Sequence, residues 1–152
     1  MKKVTFCGHR SLAGVDVGRL KKLLGEQIEY AIKCGTEEFL LGGYGDFDIL
    51  CANTVKEYKC TYPHIKSVLV IAYMDKECNN ALYDCSEYPP IENVPKRFAI
   101  SKRNEYMVNS SDYVIAFVKN NFGGAYDTLK YAKRKKKDVV NIFLMFQGRT
   151  MK

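Results

Sequence analysis

The sequence lacks several features that would assign a chain to a class at once. No apolar run reaches the ~18 residues that a membrane span needs, so we expect no membrane-spanning segment. The N-terminal Met-Lys-Lys is not followed by the apolar stretch and small-residue cleavage site of a secretory signal, which predicts a cytoplasmic protein. The six cysteines form no CxxC pair and have no zinc-type spacing to histidine, so we expect reduced thiols and no metal.

What is present suits one folded domain covering residues 1–152. Hydrophobic residues make up 47% of the chain and aromatic residues 12%, which excludes a disordered class. The net charge of +7 could indicate a nucleic-acid partner. Much of this charge, however, lies in Lys130 and the run 133–137 near a predicted helix end, where cations complement the helix dipole. Because no aromatic residues interleave with this run, we favour a solvated helix end over a nucleic-acid surface.

Strand-like and helix-like patterns alternate along the chain. Apolar runs predict strands at 3–7, 37–41, 67–73, 112–118 and 139–145. Apolar residues at helical spacing predict helices at 17–33, 46–58, 98–110 and 125–135. This alternation predicts an α/β fold, a Rossmann-like three-layer sandwich with a mainly parallel sheet of about five strands.

One long irregular segment, 74–95, interrupts this pattern and carries three of the four prolines. Loops of this length in a compact domain are usually functional. A lid over a site and a contact between subunits explain it equally well at this stage.

Short glycine-containing loops directly follow three of the predicted strands. They read Gly8-His9-Arg10, Gly42-Gly43-Tyr44-Gly45 and Gly123-Gly124-Ala125. Because the carboxyl ends of parallel strands meet at one edge of the sheet, we expect the three loops to form one composite ligand site. The amides that open the following helices favour an anion such as phosphate. Neither glycine pair matches the GxGxxG or P-loop pattern, so each loop alone is a weak signal.

Two arginines are candidate anion ligands, since a guanidinium group presents a planar fork to phosphate. The alternative for Arg10 is a salt bridge to Asp46 or Asp48. Arg103 lies on the polar face of a predicted helix, and its alternative is an exposed i,i+4 ion pair. The two aspartates could accept ribose hydroxyls, although helix capping explains Asp46 without a ligand.

The remaining candidates also have two interpretations each. His9 could bind a ligand, but a histidine after a strand more often satisfies local backbone groups. Tyr44 and Tyr126 could stack on a base or pack over their own loops. Thr128 adds a hydroxyl near the last glycine loop. The predicted ligand-binding residues are Gly8, His9, Arg10, Gly42, Gly43, Tyr44, Gly45, Asp46, Asp48, Arg103, Gly123, Gly124, Ala125 and Thr128.

These residues resemble a known family. The stretches on which the resemblance rests are Gly8-His9-Arg10, the Leu-Gly-Gly-x-Gly-x-Phe-Asp loop, the segment 95–108, Ser111-Asp112, and Gly123-Gly124-Ala125 with Thr128. They are similar in order and type to the SLOG superfamily, and most to its small stand-alone branch in Firmicutes and their phages. The resemblance covers nearly the whole chain. It implies a Rossmann-like fold, a homodimer or higher homo-oligomer, and a nucleotide or nucleotide-derived ligand such as ADP-ribose, with no further cofactor.

Relatives in that superfamily include "lonely guy" phosphoribohydrolases, DNA-processing proteins that hold single strands, and nucleotide sensors. Arg103 resembles the arginine of the hydrolase branch, but the hydrolase loop Pro-Gly-Gly-x-Gly-Thr is changed. Phe122 replaces the proline, and Lys130-Tyr131 occupy the region of the expected glutamate. Since glycosidic cleavage needs a positioned carboxylate, we favour binding without turnover and assign no catalytic residue.

Two alternatives remain open. One is a nucleotide N-glycosidase in which Arg103 anchors the phosphate and Asp46, Asp48 or Asp127 supplies the carboxylate. The other is single-strand nucleic-acid binding through the basic run 133–137. A small nucleotide-like molecule is the preferred partner, nucleic acid the less favoured one, and a membrane is not expected.

Overall fold

The computed structural model describes residues 2–73 and 81–150, with side chains described up to residue 146. The strands are β1 (Lys3–Gly8), β2 (Glu38–Leu41), β3 (Lys66–Val70), β4 (Cys85–Glu87), β5 (Tyr113–Phe117) and β6 (Asp138–Asn141). The helices are α1 (Val17–Lys33), α2 (Asp46–Lys59), α3 (Ala99–Ser110), α4 (Gly124–Arg134) and α5 (Ile142–Thr150), and a short 3-10 helix (Lys96–Phe98) precedes α3.

All six strands pair in parallel in the order β4-β3-β2-β1-β5-β6. From β1 the chain builds the sheet in one direction through β4, and then crosses to the other side of β1 for β5 and β6. The loops after β1 and β5 therefore leave the sheet in opposite directions. Such a switch point opens a crevice at the carboxyl ends of the strands, where open α/β sheets bind ligands.

Helices cover both faces of the sheet. On one face, α1, α2 and α5 pack over a large cluster that contains Phe39, Phe47 and Phe117. On the other, α3 and α4 pack together over smaller residues such as Val114 and Ala116. Strand β5 serves both layers, because its side chains alternate between the faces. The predicted Rossmann-like three-layer α/β fold is thus confirmed.

Helix α1 follows its sequence pattern closely. Leu20, Leu24 and Ile28 are fully buried at helical spacing. The Asp16 carboxylate accepts the backbone N–H of Arg19 at 3.2 Å as the N-cap. Gly35, with φ of 103°, follows the C-cap residue and ends the helix.

The sheet has six strands, one more than predicted. The missed strand, β4, is only Cys-Ser-Glu and lies within the segment 74–95. It carries no apolar alternation, and pairing with β3 holds it in place. The Asp84 carboxylate adds to this by accepting the Ser67 N–H at 2.7 Å. Residues 74–80, the first part of the predicted lid or contact segment, lie outside the described residues.

The strand predicted at 139–145 is wrong in its second half. β6 ends at Asn141, and α5 begins at Ile142. Asn141 explains the change, because its side-chain oxygen accepts the N–H groups of Val118 at 3.0 Å and Phe143 at 3.2 Å. The amide thus ties β6 to the end of β5 and caps the new helix. Among the described residues, no helix is long and apolar enough to cross a membrane.

Candidate functional site

A cleft of about 320 Å³ lies at the switch point between β1 and β5. Its walls come from the end of β1, the first turns of α2, the inner face of α3, and the loop that leads from β5 into α4. Charged and polar side chains face apolar ones across it. The lining includes Gly8, His9, Arg10, Tyr44, Asp48, Ile100, Arg103, Asn104, Met107, Asn120, Phe122, Gly123, Gly124, Ala125 and Thr128.

The N-terminus of α4 opens onto this cleft without a side-chain cap. Gly123 is the N-cap, its φ of 96° favours glycine, and no side chain bonds the first amides. The Asp127 N–H is the first that finds a backbone partner, the Gly123 carbonyl at 2.9 Å. A Cβ on Gly123 or Gly124 would meet nothing within 4 Å. Open amides and open space therefore coincide at the positive end of a helix dipole.

The second glycine loop has an internal anion instead. The Asp48 carboxylate, on the first turn of α2, accepts the N–H groups of Gly42 at 3.2 Å and Tyr44 at 3.5 Å. The loop turns tightly at Gly43, where φ is 69°. The amides expected to hold a phosphate here are thus directed at a carboxylate of the protein itself.

Asp48 is also the carboxylate that lines the cleft. Burial raises its pKa from the usual 3.8 to about 6, although the positive charge of Arg103 and the loop amides oppose that rise. The thiol of Cys7 lies nearby, and burial together with the Asp48 charge raises its pKa to about 12. The carboxylate is therefore the readily titrated acid of the cleft, and the thiol stays protonated.

Arg103 forms the floor of the cleft and is only 4% exposed. Its Nη1 donates to the carbonyl oxygens of Gly42 at 2.9 Å and Val70 at 3.1 Å. These contacts join α3 to the ends of β2 and β3. Burial lowers its pKa, and the charge of Asp48 opposes that effect. The exposed ion pair considered for this arginine is wrong.

Nη2 of Arg103 donates no hydrogen bond within the described residues. Since no buried polar side-chain atom of those residues lacks a partner, this nitrogen keeps access to solvent. The Nε of Arg103 donates to the Asn104 side-chain oxygen at 2.9 Å. That bond orients the Asn104 amide, whose NH₂ group donates no hydrogen bond within the described residues, and Asn104 lines the cleft.

The loop after β1 is bound tightly to the second glycine loop. The Asp46 N–H donates to the Arg10 carbonyl at 2.8 Å, and its carboxylate accepts the Leu12 N–H at 3.0 Å. The exposed Arg10 guanidinium lies 4.6 Å from the centre of the Tyr44 ring. The helix-cap role considered for Asp46 is wrong, because Gly45 is the N-cap of α2 and Asp46 bonds the neighbouring loop. Within the described residues Arg10 forms no ion pair with Asp46 or Asp48, so that alternative is wrong as well.

His9 links the first loop to the third. Its Nε2 accepts the Lys119 N–H at 2.9 Å, so this nitrogen is unprotonated. Burial and the Lys119 charge both lower the pKa of the imidazole. The backbone role considered for His9 is therefore present in the structure.

A groove of about 490 Å³ continues from the cleft between α3 and α4. The two cavities share five lining residues, which are Arg10, Ile100, Asn104, Gly124 and Thr128. Four cations line the groove against two carboxylates; the cations are Arg10, Arg97, Lys130 and Arg134, and the acids are Glu105 and Asp127. The groove is therefore a positively charged extension of the cleft.

Comparison with known proteins supports the architecture. No family model and no curated protein matches the chain. Several solved structures, however, are similar to it in fold. The X-ray structure of TM1055 superposes on this chain with a TM-score of 0.63 and 18% sequence identity. The match covers 91% of this chain and 72% of that one. DNA processing protein A (DprA) from Streptococcus pneumoniae is 18% identical, with a TM-score of 0.65, over 91% of this chain and 49% of that one.

A third structure, of DprA from Helicobacter pylori, is described as giving insight into a single-stranded DNA binding mode. It is 17% identical, with a TM-score of 0.58, over 91% of this chain and 63% of that one. The chain therefore spans about half to two thirds of the DprA chains. These likenesses support the Rossmann-like α/β fold of the chain.

Within this fold, most of the predicted ligand residues come together in the cleft. Gly42, Gly43, Gly45 and Asp46 lie behind it and do not line it. Thr128 faces it, with its hydroxyl donating to the Gly124 carbonyl at 2.9 Å. Tyr126 is not part of the lining; it packs on the core, with the Lys130 ammonium 5.2 Å from its ring centre.

Sequence reasoning missed four polar or aromatic residues that line the cleft, Phe6, Asn104, Asn120 and Phe122. Asn104 follows Arg103 directly, and its position on the inward side of α3 could have been read from helical spacing with Ile100. Asn120 and Phe122 lie in the loop before Gly123, and only their proximity to the glycines could have indicated a role in the site. Among the described residues no group of three or more His, Cys, Asp or Glu side chains could hold a metal ion.

Proposed function

We propose that the protein binds a nucleotide or a nucleotide-derived ligand, such as a nucleoside 5′-monophosphate or an ADP-ribose-like molecule, in the cleft. The observation that carries the proposal is the uncapped N-terminus of α4. Its amides face open space at Gly123 and Gly124, where even a methyl group would touch no protein atom. A phosphate group has the charge, the size and the acceptors for this position.

Two arginines add charge complementarity. Arg103 lines the cleft and its Nη2 donates no hydrogen bond within the described residues, while the lining residue Arg10 is exposed. A guanidinium group in a partly desolvated site contributes a charge-assisted hydrogen bond to phosphate. Since the Gly42 and Tyr44 amides already bind Asp48, the phosphate belongs at α4 rather than at the second glycine loop.

The polar groups beside this position suit a ribose. Asp48 is a carboxylate acceptor on the cleft wall, and ribose hydroxyls are donors. The Asn104 amide is a hydrogen-bond donor instead. Its oxygen already accepts the bond from Arg103, so its NH₂ group remains to donate to a ligand oxygen. The cleft volume of about 320 Å³ lies at the lower end of the roughly 300–1,000 Å³ of ligand pockets. A ligand of mononucleotide size fits this range.

A second candidate function is single-strand nucleic-acid binding along the groove. The specific observation is that the groove continues the cleft and carries four cations. The Helicobacter pylori DprA structure, described by its single-stranded DNA binding mode, shares the fold. Lys130 and Arg134 of α4 line the groove, whereas the four lysines of the run 133–137 do not.

Thermal unfolding against a panel of nucleoside monophosphates, NAD, ADP-ribose, cyclic ADP-ribose and a short oligonucleotide tests the proposal. A ligand at ~100 times its dissociation constant adds about 2.7 kcal/mol of stability, which raises the melting temperature by several degrees in a domain of this size. We expect a small nucleotide to produce this shift and Gly124→Ala to abolish it. A shift from the oligonucleotide alone would favour the second candidate.

A further inference from the structure

Phe122 is the most exposed large hydrophobic residue of the described chain, at 69%. It nevertheless lines the cleft, directly before the N-cap of α4. Leaving an aromatic ring in water forfeits the stabilisation that burial would give. An exposed phenylalanine at the mouth of a polar cleft therefore has the position of a ligand-contacting residue.

The neighbouring aromatic residues differ from Phe122 in one respect. Each of them has a cation over its ring: Arg10 over Tyr44, Arg97 over Phe98, and Lys130 over Tyr126. Within the described residues, the ring of Phe122 contacts no cation and stacks on no other ring. No other ring or cation of the described residues therefore competes with a planar partner for this ring.

A polar group accompanies this ring in the same loop. The Asn120 side chain is partly buried, lines the cleft, and makes no hydrogen bond within the described residues. Its amide carries both a donor and an acceptor, the combination that reads the edge of a nucleobase. Asn120 and Phe122 precede Gly124 by four and two residues and line the same cleft, so a nucleotide whose phosphate lies at Gly124 has these side chains beside it.

We propose that Phe122 and Asn120 form a base-binding subsite, in which a purine or pyrimidine ring stacks on Phe122 and hydrogen-bonds to the Asn120 amide. The inference rests on the proposed nucleotide-binding function and specifies which part of the ligand this loop recognises. The stacking ring supplies affinity for any base, and the amide supplies preference among bases.

The test compares ligands with and without a base. Calorimetric titration with AMP, GMP, CMP and UMP identifies the nucleotide that binds most tightly, and ribose 5-phosphate serves as the base-free probe. We expect Phe122→Ala to weaken nucleotide binding about tenfold and to leave ribose 5-phosphate binding unchanged, since stacking on an aromatic side chain contributes to the affinity for a base and ribose 5-phosphate has none. Phe122→Tyr should restore the affinity, and Asn120→Ala should reduce the difference among the four nucleotides.

Phe98→Ala is the matched control, because Phe98 is 47% exposed and does not line either cavity. It should leave nucleotide binding unchanged. An equal loss of nucleotide and ribose 5-phosphate binding in Phe122→Ala would assign the residue to loop structure and overturn the inference. Full nucleotide affinity in Phe122→Ala would overturn it as well, with the proposed function intact. Absence of nucleotide binding by the unmutated protein would overturn the proposed function and the subsite together.

Discussion

The Arg103 guanidinium packs so closely against Gly42 that any side chain there would have to displace it. Nη1 donates to the Gly42 carbonyl at 2.9 Å, and a Cβ on Gly42 would lie 2.8 Å from Cζ. The same glycine donates its N–H to Asp48 at 3.2 Å. One backbone position thus separates the buried cation from the carboxylate of the cleft and holds both in place.

Alanine substitutions at two glycines should have opposite effects. Gly42→Ala forces the buried guanidinium to move, and overpacking of this kind costs about 1–3 kcal/mol of unfolding free energy. Gly124→Ala meets no protein atom within 4 Å, so stability should stay equal or rise, while nucleotide affinity falls because the methyl group enters the ligand space. Urea unfolding and nucleotide titration measure the two effects. A destabilised Gly124→Ala protein would show that this space is not free.

Removing the buried arginine should destabilise the protein far more than removing the exposed one. Arg103→Met leaves the Gly42 and Val70 carbonyls without their donor and Asp48 without a nearby cation, so we expect a loss of about 3–5 kcal/mol. Arg10→Met removes a cation from the exposed ring of Tyr44 and should cost less than about 1 kcal/mol. Urea unfolding of both variants gives the comparison. Similar losses would mean that the contacts of Arg103 do not support the fold.

The three layers of the fold and the edge of the sheet that carries the candidate site were predicted well from the sequence. Both follow from the periodicity of apolar residues. Alternating strands and helices fix a parallel sheet, and loops after parallel strands must share one edge. β4 was missed because three polar or small residues, Cys85–Glu87, carry no strand pattern. The apolar run of α5 has the sequence pattern of a buried strand. Only the hydrogen bond from the Phe143 N–H to the Asn141 side chain shows that a helix begins there.

The details of the site depended on partners that no local pattern encodes. Nothing in the sequence indicated that Asp48 would occupy the amides of Gly42 and Tyr44, six and four residues earlier in the chain. The burial of Arg103 likewise results from carbonyl groups on two different strands. Long-range pairing of this kind becomes visible only in the folded chain.

Stability should depend on pH through Asp48. Its pKa rises from 3.8 to about 6 on folding, so the folded state binds the proton more tightly than the unfolded state. Ionisation between about pH 4 and pH 6 therefore costs stability, by about 3 kcal/mol at most, and the cost persists at higher pH. Asp48→Asn removes this contribution.

Chemical denaturation of both proteins from pH 4 to pH 7 isolates the effect. His9, whose lowered pKa acts in the opposite direction near pH 6, is present in both and cancels. The variant should gain stability relative to the unmutated protein as the pH rises. Parallel pH profiles would contradict the raised pKa of Asp48.

Nucleotides should be recovered intact after incubation with the protein. Glycosidic cleavage generally uses two carboxyl groups. Of the three candidate acids only Asp48 lines the cleft, whereas Asp46 binds the Leu12 N–H and Asp127 lines the groove. HPLC of each nucleotide mixture measures base release. Release that disappears in Asp48→Asn, but persists in Asp46→Asn and Asp127→Asn, would instead identify a hydrolase.

The groove makes a separate prediction for single-stranded oligonucleotides. Each phosphate that a cation neutralises contributes about −0.7 to the slope of log affinity against log salt. Arg134→Gln should weaken binding and flatten this slope, because Arg134 lines the groove. Lys133→Gln, on the same exposed helix end but outside the groove, should leave both unchanged. Fluorescence anisotropy at several salt concentrations supplies the data, and equal effects of the two variants would exclude the groove as the path.

Binding of a phosphate group at the start of α4 can be observed residue by residue. The most direct measurement is NMR of the ¹⁵N-labelled protein titrated with the tightest-binding nucleoside monophosphate. We predict large shifts of the amide resonances of Gly124 and Ala125, and small shifts of those of Gly42 and Tyr44, which already donate to Asp48. Shifts concentrated at Gly42 and Tyr44, with the Gly124 and Ala125 resonances unchanged, would contradict phosphate binding at the start of α4.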